Sequence, residues 1–242
     1  MPKERYYFSC QLLQSHSVAI EDNELHHLLH VMRTKVGNEI EIVNGKGQLG
    51  KGVVAAIEKK KALIDITEVY TTPTPNYRLV LAQAIPRVNR LECILEKATE
   101  LGVTDICLFA SSLSEKKCFT EHQIERLKSI TIAAMKQCGR LHLPSLKFSA
   151  TVEDVDFTEV AFFGDITIGK LPALSSLYEH SMKEVTIFIG PESGFTLSEE
   201  EFLRKRQVKG VTLHPNILRT DTAAIASLSI LSHLMLNDTF IN

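Results

Sequence analysis

The sequence lacks several features that mark special classes of protein. It has no apolar run long enough to span a bilayer, which takes about 20 residues in a helix. No apolar stretch of the kind found in secretory leaders follows the first residues, so we expect no leader. Its histidines, cysteines and carboxylates show no metal-ligand spacing, so we expect no bound metal.

Cysteine is scarce and scattered. The chain has five cysteines, an odd number, and no C-x-x-C pair. This pattern argues against a disulfide framework and against a zinc knuckle. We expect reduced thiols in a cytoplasmic protein, and we expect each cysteine to be buried or inert.

The chain also lacks a large excess of either charge. Its formal net charge is -2, which does not by itself indicate a nucleic-acid partner. The distribution is uneven, because residues 75–148 carry eleven basic and seven acidic groups, whereas residues 149–201 carry two and eleven. The central basic segment is a candidate phosphate-binding patch, with a solvated helix surface as the alternative.

The first seventy residues predict a small, mainly β domain. Alternating apolar residues and an N-G-K-G turn predict strands at residues 39–43, 52–57 and 62–69. Leucines at helical spacing predict one helix over residues 22–33. The segment T-T-P-T-P-N at residues 71–76 is the best linker candidate. We therefore expect one domain over residues 1–72 and a second over residues 73–242.

Strands and helices alternate in the rest of the chain. Apolar runs predict strands at residues 79–85, 105–110, 160–163, 185–189 and 211–213. Helical periodicity predicts helices at residues 89–102, 121–138 and 220–236, with another beginning near residue 198. The alternation predicts an α/β domain, a mainly parallel sheet with helices on both faces. Such sheets bind ligands in the loops at the carboxyl ends of their strands.

One such loop is I-G-P-E-S-G-F at residues 189–195. Its two glycines and proline would let the backbone approach a ligand closely, although a tight turn alone would also explain them. Ser198 and Glu201 fit a capping box at the start of the next helix. The loop has neither the G-K-[ST] ending of a P-loop nor the G-x-G-x-x-G of a dinucleotide site.

A second loop, H-P-N-I-L-R-T-D-T at residues 214–222, leads into the last helix. Thr220 fits the N-cap of that helix, and Asp221 suits its first turn. Arg219 is harder to explain structurally. A fixed guanidinium there could hold a phosphate, a carboxylate or a developing anion, and a surface salt bridge is the alternative.

Together these loops resemble the G-P-E-G-G and I-L-R-x-E-T-A signatures of the ribosomal RNA small subunit methyltransferase E family, a branch of the SPOUT methyltransferases. Three other segments also resemble conserved motifs of this family: H-H-L at residues 26–28, L-E-K-A-T-E-L-G-V at 95–103 and Q-C-G-R at 137–140. The resemblance covers essentially the whole chain. This sequence departs from the family pattern at four positions. Ser193 stands where the family has a glycine, and Asp221 stands where it has a glutamate. Lys136 stands where an acidic residue is usual, and Arg87 where a lysine is common.

The resemblance implies an N-terminal PUA-like β-barrel and a C-terminal SPOUT domain whose chain forms a trefoil knot. It also implies a homodimer with the active site at the interface. The final helix carries enough apolar residues for a dimer interface, but burial within one domain is an alternative. The implied reaction is methyl transfer from S-adenosylmethionine to uridine N3 of small-subunit ribosomal RNA, with the small ribosomal subunit as partner.

The resemblance further implies the residues of the site. Arg219 is the predicted catalytic residue, a donor that stabilises the uridine anion. The predicted cofactor contacts are Phe163, Gly164, Gly190, Glu192, Gly194, Leu213, Ile217, Leu218 and Thr222. The predicted RNA contacts are Arg5, His27, Arg33, Arg87 and Arg140.

Two other functions stay open at this point. One is a non-catalytic RNA-binding homologue that has lost cofactor binding, which the departure at Ser193 leaves open. The other is a SPOUT methyltransferase that acts on tRNA or on a ribose hydroxyl.

Overall fold

The computed structural model describes residues 5–166 and 171–237. The chain forms two compact units. The first comprises Met1–Thr74 and Ile132–Leu143, and the second comprises Pro75–Thr131 and Pro144–Asn242. The domain boundary expected between residues 72 and 73 stays a prediction.

In its described residues, the first unit is built on a five-stranded sheet. The strands are β1 (Arg5–Tyr7), β2 (Ser17–Glu21), β3 (Glu39–Val43), β4 (Gln48–Ile57) and β5 (Lys61–Thr71). They lie in the order β1-β3-β4-β5-β2; β1 runs parallel to β3, and the remaining neighbours are antiparallel. The three strands predicted from the sequence are confirmed, and two of them are longer than predicted. Alternate residues such as Ile42, Val54 and Ile64 are fully buried and form the core of this unit.

The single helix predicted over residues 22–33 is wrong in its second half. The α-helix α1 (Asp22–His26) gives way to a π-helical turn, His27–Val31, closed by a hydrogen bond from the Met32 N–H to the His27 carbonyl at 3.0 Å. A π-turn of this kind inserts one residue into the helical repeat. The leucine spacing predicted the apolar face but could not show this insertion.

The second unit contains a six-stranded sheet within its described residues. The strands are β6 (Arg78–Ala84), β7 (Asp105–Phe109), β8 (Ser145–Ser149), β9 (Val160–Gly164), β10 (Glu184–Ile189) and β11 (Lys209–Val211). Their order is β11-β9-β10-β6-β7-β8, and every neighbouring pair is parallel. The predicted parallel sheet is confirmed. The sequence did not predict β8, and it placed the last strand two residues too far along.

Helices cover both faces of this sheet. They are α2 (Val88–Glu100), α3 (Glu121–Cys138), α4 (Leu197–Lys205) and α5 (Thr220–Asn237). Leu81 of β6 packs with α2 and α5, whereas the adjacent Ala82 belongs to a separate cluster with Leu203 of α4. Since successive strand residues point to opposite faces, these clusters lie on opposite sides of the sheet. The α/β class with helices on both faces is confirmed, and the trefoil knot stays a prediction.

No helix in residues 5–166 or 171–237 is long and apolar enough to cross a membrane.

The cysteines differ in their exposure. All five are free thiols, and Cys107 alone among them is buried. Cys10 and Cys118 are exposed, and Cys93 and Cys138 are half-buried. The expectation that each cysteine is buried or inert therefore stays a prediction for these four. Cys107 lies on β7, where the apolar environment raises the pKa of its thiol.

Candidate functional site

The loop after β10 is a tight turn held by its own backbone. The Gly194 N–H donates to the Pro191 carbonyl at 2.9 Å, and Gly194 has a φ of 76°, in the region that favours glycine. Ser193 is not among the residues with positive φ. The serine that departs from the family signature therefore occupies ordinary backbone geometry.

An aromatic side chain anchors the far end of this loop. The ring of Phe195 stacks on Phe109 with centroids 6.4 Å apart, and it meets the edge of Phe163 at 6.1 Å. A Cβ on Gly190 would lie 3.3 Å from the Phe195 ring. The close approach explains why the loop has glycine at this position.

The helix after the loop is capped two residues earlier than predicted. Thr196 is the N-cap of α4 and forms a capping box with Glu199, so the predicted box of Ser198 and Glu201 is wrong. The Glu199 carboxylate also accepts from the backbone N–H of Ser112 at 2.8 Å. Burial alone would raise the pKa of Glu199, but the hydrogen bonds from Thr196 and from the loop after β7 outweigh it and lower the pKa.

The loop before α5 presents Arg219 at the helix start. The Arg219 carbonyl accepts from the Ala223 N–H at 2.7 Å, and α5 begins at the next residue, Thr220. The prediction that Thr220 is the N-cap is therefore wrong. Its hydroxyl instead donates to the Gly190 carbonyl at 2.7 Å and accepts from the Gln83 amide at 3.1 Å.

These two loops and the end of β9 enclose a cavity of about 680 Å³. Eight of the residues predicted for the active site line it: Gly164, Gly190, Glu192, Gly194, Leu213, Ile217, Leu218 and Arg219. Two other predicted cofactor contacts do not. Phe163 is fully buried behind the loop, and Thr222 lies exposed on α5. The sequence thus identified the loops that meet, and the roles of their side chains stay predictions.

Arg90 of α2 lines the same cavity and was not predicted. Its guanidinium lies 3.5 Å from the Glu192 carboxylate and 3.9 Å from that of Asp221. Glu192 also accepts from the backbone N–H of Arg87 at 3.2 Å. Arg90 therefore bridges the acidic residues of the two loops. Arg90 lies on a helix outside both loops, so no loop motif in the sequence points to it.

A second group of charges lies on another wall of the cavity. Asp165 has a fully buried side chain that pairs with Arg204 at 2.5 Å, and the Arg204 guanidinium also lies over the ring of Phe163. Glu200 lines the cavity 3.7 Å from Arg204. Burial, and then the charge of Asp165, raise the pKa of Glu200. This wall is acidic, although one arginine partly neutralises it.

Among the predicted RNA contacts, Arg5 is already engaged within the first unit. It pairs with Glu41 at 3.0 Å and donates to the Gly139 carbonyl at 2.7 Å, with 13% of its side chain exposed. These contacts hold β1 against residues that follow α3. A role for Arg5 in binding RNA stays a prediction.

The other predicted RNA contacts differ in exposure. In the first unit, Arg33 is exposed, whereas His27 and Arg140 are half-buried. In the second unit, Arg87 is exposed and pairs with Glu115 at 2.7 Å. Their roles in RNA binding also stay predictions.

Comparison with known proteins places this chain in a family. An RNA methyltransferase domain model matches residues 72–232, and an RNA methyltransferase PUA domain model matches residues 20–67. The five-stranded sheet of the first unit is thus the expected PUA-like domain.

Known relatives are similar over nearly their whole length. The chain is 28% identical over 236 residues to the ribosomal RNA small subunit methyltransferase E of Rickettsia conorii, covering 95% of each chain. It is 27% identical over 249 residues to the Bacillus subtilis protein of the same name, covering 95% of this chain and 96% of that one.

A solved structure has the same fold. The ribosomal RNA small subunit methyltransferase E of Neisseria gonorrhoeae, bound to S-adenosyl methionine, matches with a TM-score of 0.83 and 27% identity. The match covers 96% of this chain and 98% of that chain. The resemblance inferred from the two loops is confirmed, and the chain belongs to the RNA methyltransferase family.

Proposed function

We propose that this protein uses S-adenosylmethionine to methylate uridine N3 in small-subunit ribosomal RNA, and that it acts in the cytoplasm. The observation that carries the proposal is the cavity at the carboxyl ends of the parallel strands, where both signature loops meet. The similarity of the whole chain to ribosomal RNA small subunit methyltransferases E supports the ribosomal substrate.

The residues of the cavity fit this cofactor. Gly164, Ile189 and Leu213 give the lining an apolar part, against which the flat base of the cofactor could pack. Glu192 and Glu200 place carboxylates on the lining, and such groups attract the positive charge of a sulfonium. When bound, the cofactor would supply an electrophilic methyl group.

Arg219 would act on the RNA base. Uridine N3 carries a proton and is a poor nucleophile until that proton leaves. The resulting anion is shared between N3, O2 and O4, and a guanidinium placed beside it lowers the barrier by stabilising the charge. Transfer of the methyl group would form the N3–carbon bond and break the sulfur–methyl bond, which would leave a neutral base and a neutral thioether. Arg219 is exposed on the lining of the cavity, where an incoming base could meet it.

We further propose that the PUA-like domain, over residues 1–72, docks RNA for the catalytic domain, over residues 73–242, and that the protein is a homodimer. Leu228, Leu231 and Met235 of α5 are buried in the core of the second unit, so packing within one domain accounts for this face of the helix. Ile225 and Leu234 remain partly exposed and are the residues of α5 that a partner subunit would cover.

Two measurements test the proposed reaction. Calorimetry measures S-adenosylmethionine binding to the full chain, and incubation with small ribosomal subunits and labelled cofactor, followed by nucleoside analysis, identifies the product. We expect 3-methyluridine. Another methylated nucleoside would move the proposal to a different target atom, and no binding at millimolar cofactor would refute the enzymatic function.

A pair of glycine variants links this activity to the cavity. Gly194 and Gly37 both have positive φ, at 76° and 89°, and a Cβ on Gly37 would have no atom within 4 Å. Replacing either with alanine strains the backbone to a similar degree. We expect Gly194→Ala to weaken cofactor binding at least tenfold and Gly37→Ala to leave it unchanged. Equal affinities in both variants would contradict a ligand site at this loop.

A further inference from the structure

A glutamine lies in the interior of the second unit, on a strand that otherwise carries mostly apolar side chains. Gln83 is fully buried at the carboxyl end of β6, opposite Ile189 of β10. Its amide nitrogen donates to the Ala84 carbonyl at 2.9 Å and to the Thr220 hydroxyl at 3.1 Å, with the Ile189 carbonyl at 3.5 Å. Burying an amide is unfavourable unless its hydrogen bonds are made, so we expect the Gln83 side chain to have a structural or functional role.

The neighbouring acceptors fix the orientation of this amide. If it were rotated by 180°, its oxygen would face the carbonyl oxygens of Ala84 and Ile189, which cannot donate. In the observed orientation, Oε1 of Gln83 has no hydrogen-bond partner among the described residues. The amino group therefore makes the side-chain hydrogen bonds of Gln83 among the described residues, and the Thr220 oxygen accepts from it.

The direction of the next hydrogen bond follows from the first. Because the Thr220 oxygen accepts from Gln83, its proton is available for the Gly190 carbonyl, 2.7 Å away. Thr220 is 5% exposed, so water does not readily compete for this bond. Pro191 follows Gly190, and the bond therefore fixes a peptide that has no N–H of its own to hold it.

We propose that Thr220 is a positioning residue that locks the two signature loops together, so that the cofactor site and Arg219 keep a fixed relation. The inference rests on the proposed function. Gly190 lines the cavity, and Arg219 directly precedes Thr220 in the chain. The hydroxyl joins Gly190, the first residue after β10, to the start of α5. A shift of about 1 Å between reacting groups is enough to slow catalysis strongly.

The test removes the hydroxyl and keeps the shape of the side chain. Thr220→Val deletes the bond to Gly190 and the acceptor for Gln83, whereas Thr220→Ser retains both. Thr186→Val is the matched control, because Thr186 is a fully buried threonine of β10 whose hydroxyl bonds to Thr158 at 2.8 Å and which does not line the cavity. The readouts are the Kd for S-adenosylmethionine, the single-turnover methylation rate at saturating cofactor, and the melting temperature.

We expect Thr220→Val to raise the Kd about tenfold and to lower the saturated rate about tenfold or more, because without these buried hydrogen bonds the two loops can shift relative to each other. Thr220→Ser should stay within about threefold of the wild type in both. Thr186→Val should lower the melting temperature while leaving Kd and rate within about twofold. If Thr220→Val folds poorly, Thr220→Ala provides the same deletion in a residue that favours helices.

Failure of the positioning role and failure of the proposed function give different results. If the wild type binds cofactor and methylates RNA while Thr220→Val matches Thr186→Val in both Kd and rate, the positioning role is overturned and the proposed function stands. If the wild type itself binds no S-adenosylmethionine, the proposed function is overturned, and this inference falls with it.

Discussion

Replacing Arg219 with alanine separates electrostatic catalysis from structural support. The side chain is exposed, lines the cavity and has no ion-pair partner among the described residues. Its backbone is held by the hydrogen bond to Ala223, which the substitution keeps. The surface salt bridge considered as an alternative role is therefore not seen in the described part of the chain.

The expected magnitudes follow from this geometry. An exposed side chain without a partner contributes little to folding, so Arg219→Ala should change the free energy of unfolding by no more than about 0.5 kcal/mol. If Arg219 stabilises the uridine anion, the methylation rate should fall about a hundredfold, as it does when a single oxyanion donor is removed. That ratio corresponds to about 2.7 kcal/mol of activation free energy. Arg219→Lys should recover part of the rate, because one ammonium cannot reproduce the planar fork.

Single-turnover methylation of small ribosomal subunits measures the rate, and calorimetry measures cofactor affinity for the same variants. Lys205→Ala is the control, since Lys205 is an exposed cation that does not line the cavity. We expect cofactor affinity to change far less than the rate. A near-normal rate in Arg219→Ala would remove Arg219 from the mechanism, and an equal loss in Lys205→Ala would indicate general RNA attraction instead.

Three further predictions concern stability and reactivity. Lys136 pairs with Glu24 at 2.6 Å, so Lys136→Glu should destabilise the protein by about 2 kcal/mol in thermal melts, and adding Glu24→Lys should restore part of the loss. The folded protein lowers the pKa of Glu199 below its ordinary value of 4.5, so the ionised carboxylate stabilises the fold above that pH, and this stability is lost as the pH falls through the folded pKa. In denaturant titrations, Glu199→Gln should lose less stability in acid than the wild type does. The same variant should be about 1 kcal/mol less stable at pH 7. A thiol reagent should modify exposed Cys118 quickly and buried Cys107 only on unfolding, and equal rates would contradict the packing of β7.

The strands that the sequence did not predict are short or lie at the edge of a sheet. β8 pairs with β7 alone and has no fully buried residue, so it lacks the apolar run by which an interior strand is recognised. β1 has three residues and pairs with β3. The interior strands β6 and β10 are buried over nearly their whole length, and this is why the sequence predicted them.

The capping box of α4 was predicted at the wrong residues because tertiary contacts decide where it forms. Both Thr196 with Glu199 and Ser198 with Glu201 fit the S/T-x-x-E pattern, so the local sequence does not choose between them. The choice is made by Ser111 and Ser112, whose hydroxyl and backbone N–H donate to the Glu199 carboxylate from a loop 87 to 88 residues away in the chain. A carboxylate that is 4% exposed needs those donors.

Glu192 illustrates why the sequence predicted the loops of the site but not the functions of their side chains. A carboxylate in a ligand-binding loop can contact the ligand or hold the loop in place. The sequence shows a glutamate in either case, so it does not distinguish the two roles. In this structure Arg90 and the backbone of Arg87 already engage Glu192. The Arg90 contacts to Glu192 and Asp221 are 3.5 and 3.9 Å, longer than a charge-assisted hydrogen bond. The guanidinium is thus shared between the two loops at a distance that leaves each carboxylate able to accept another donor, so Glu192 can hold its loop and still contact a ligand.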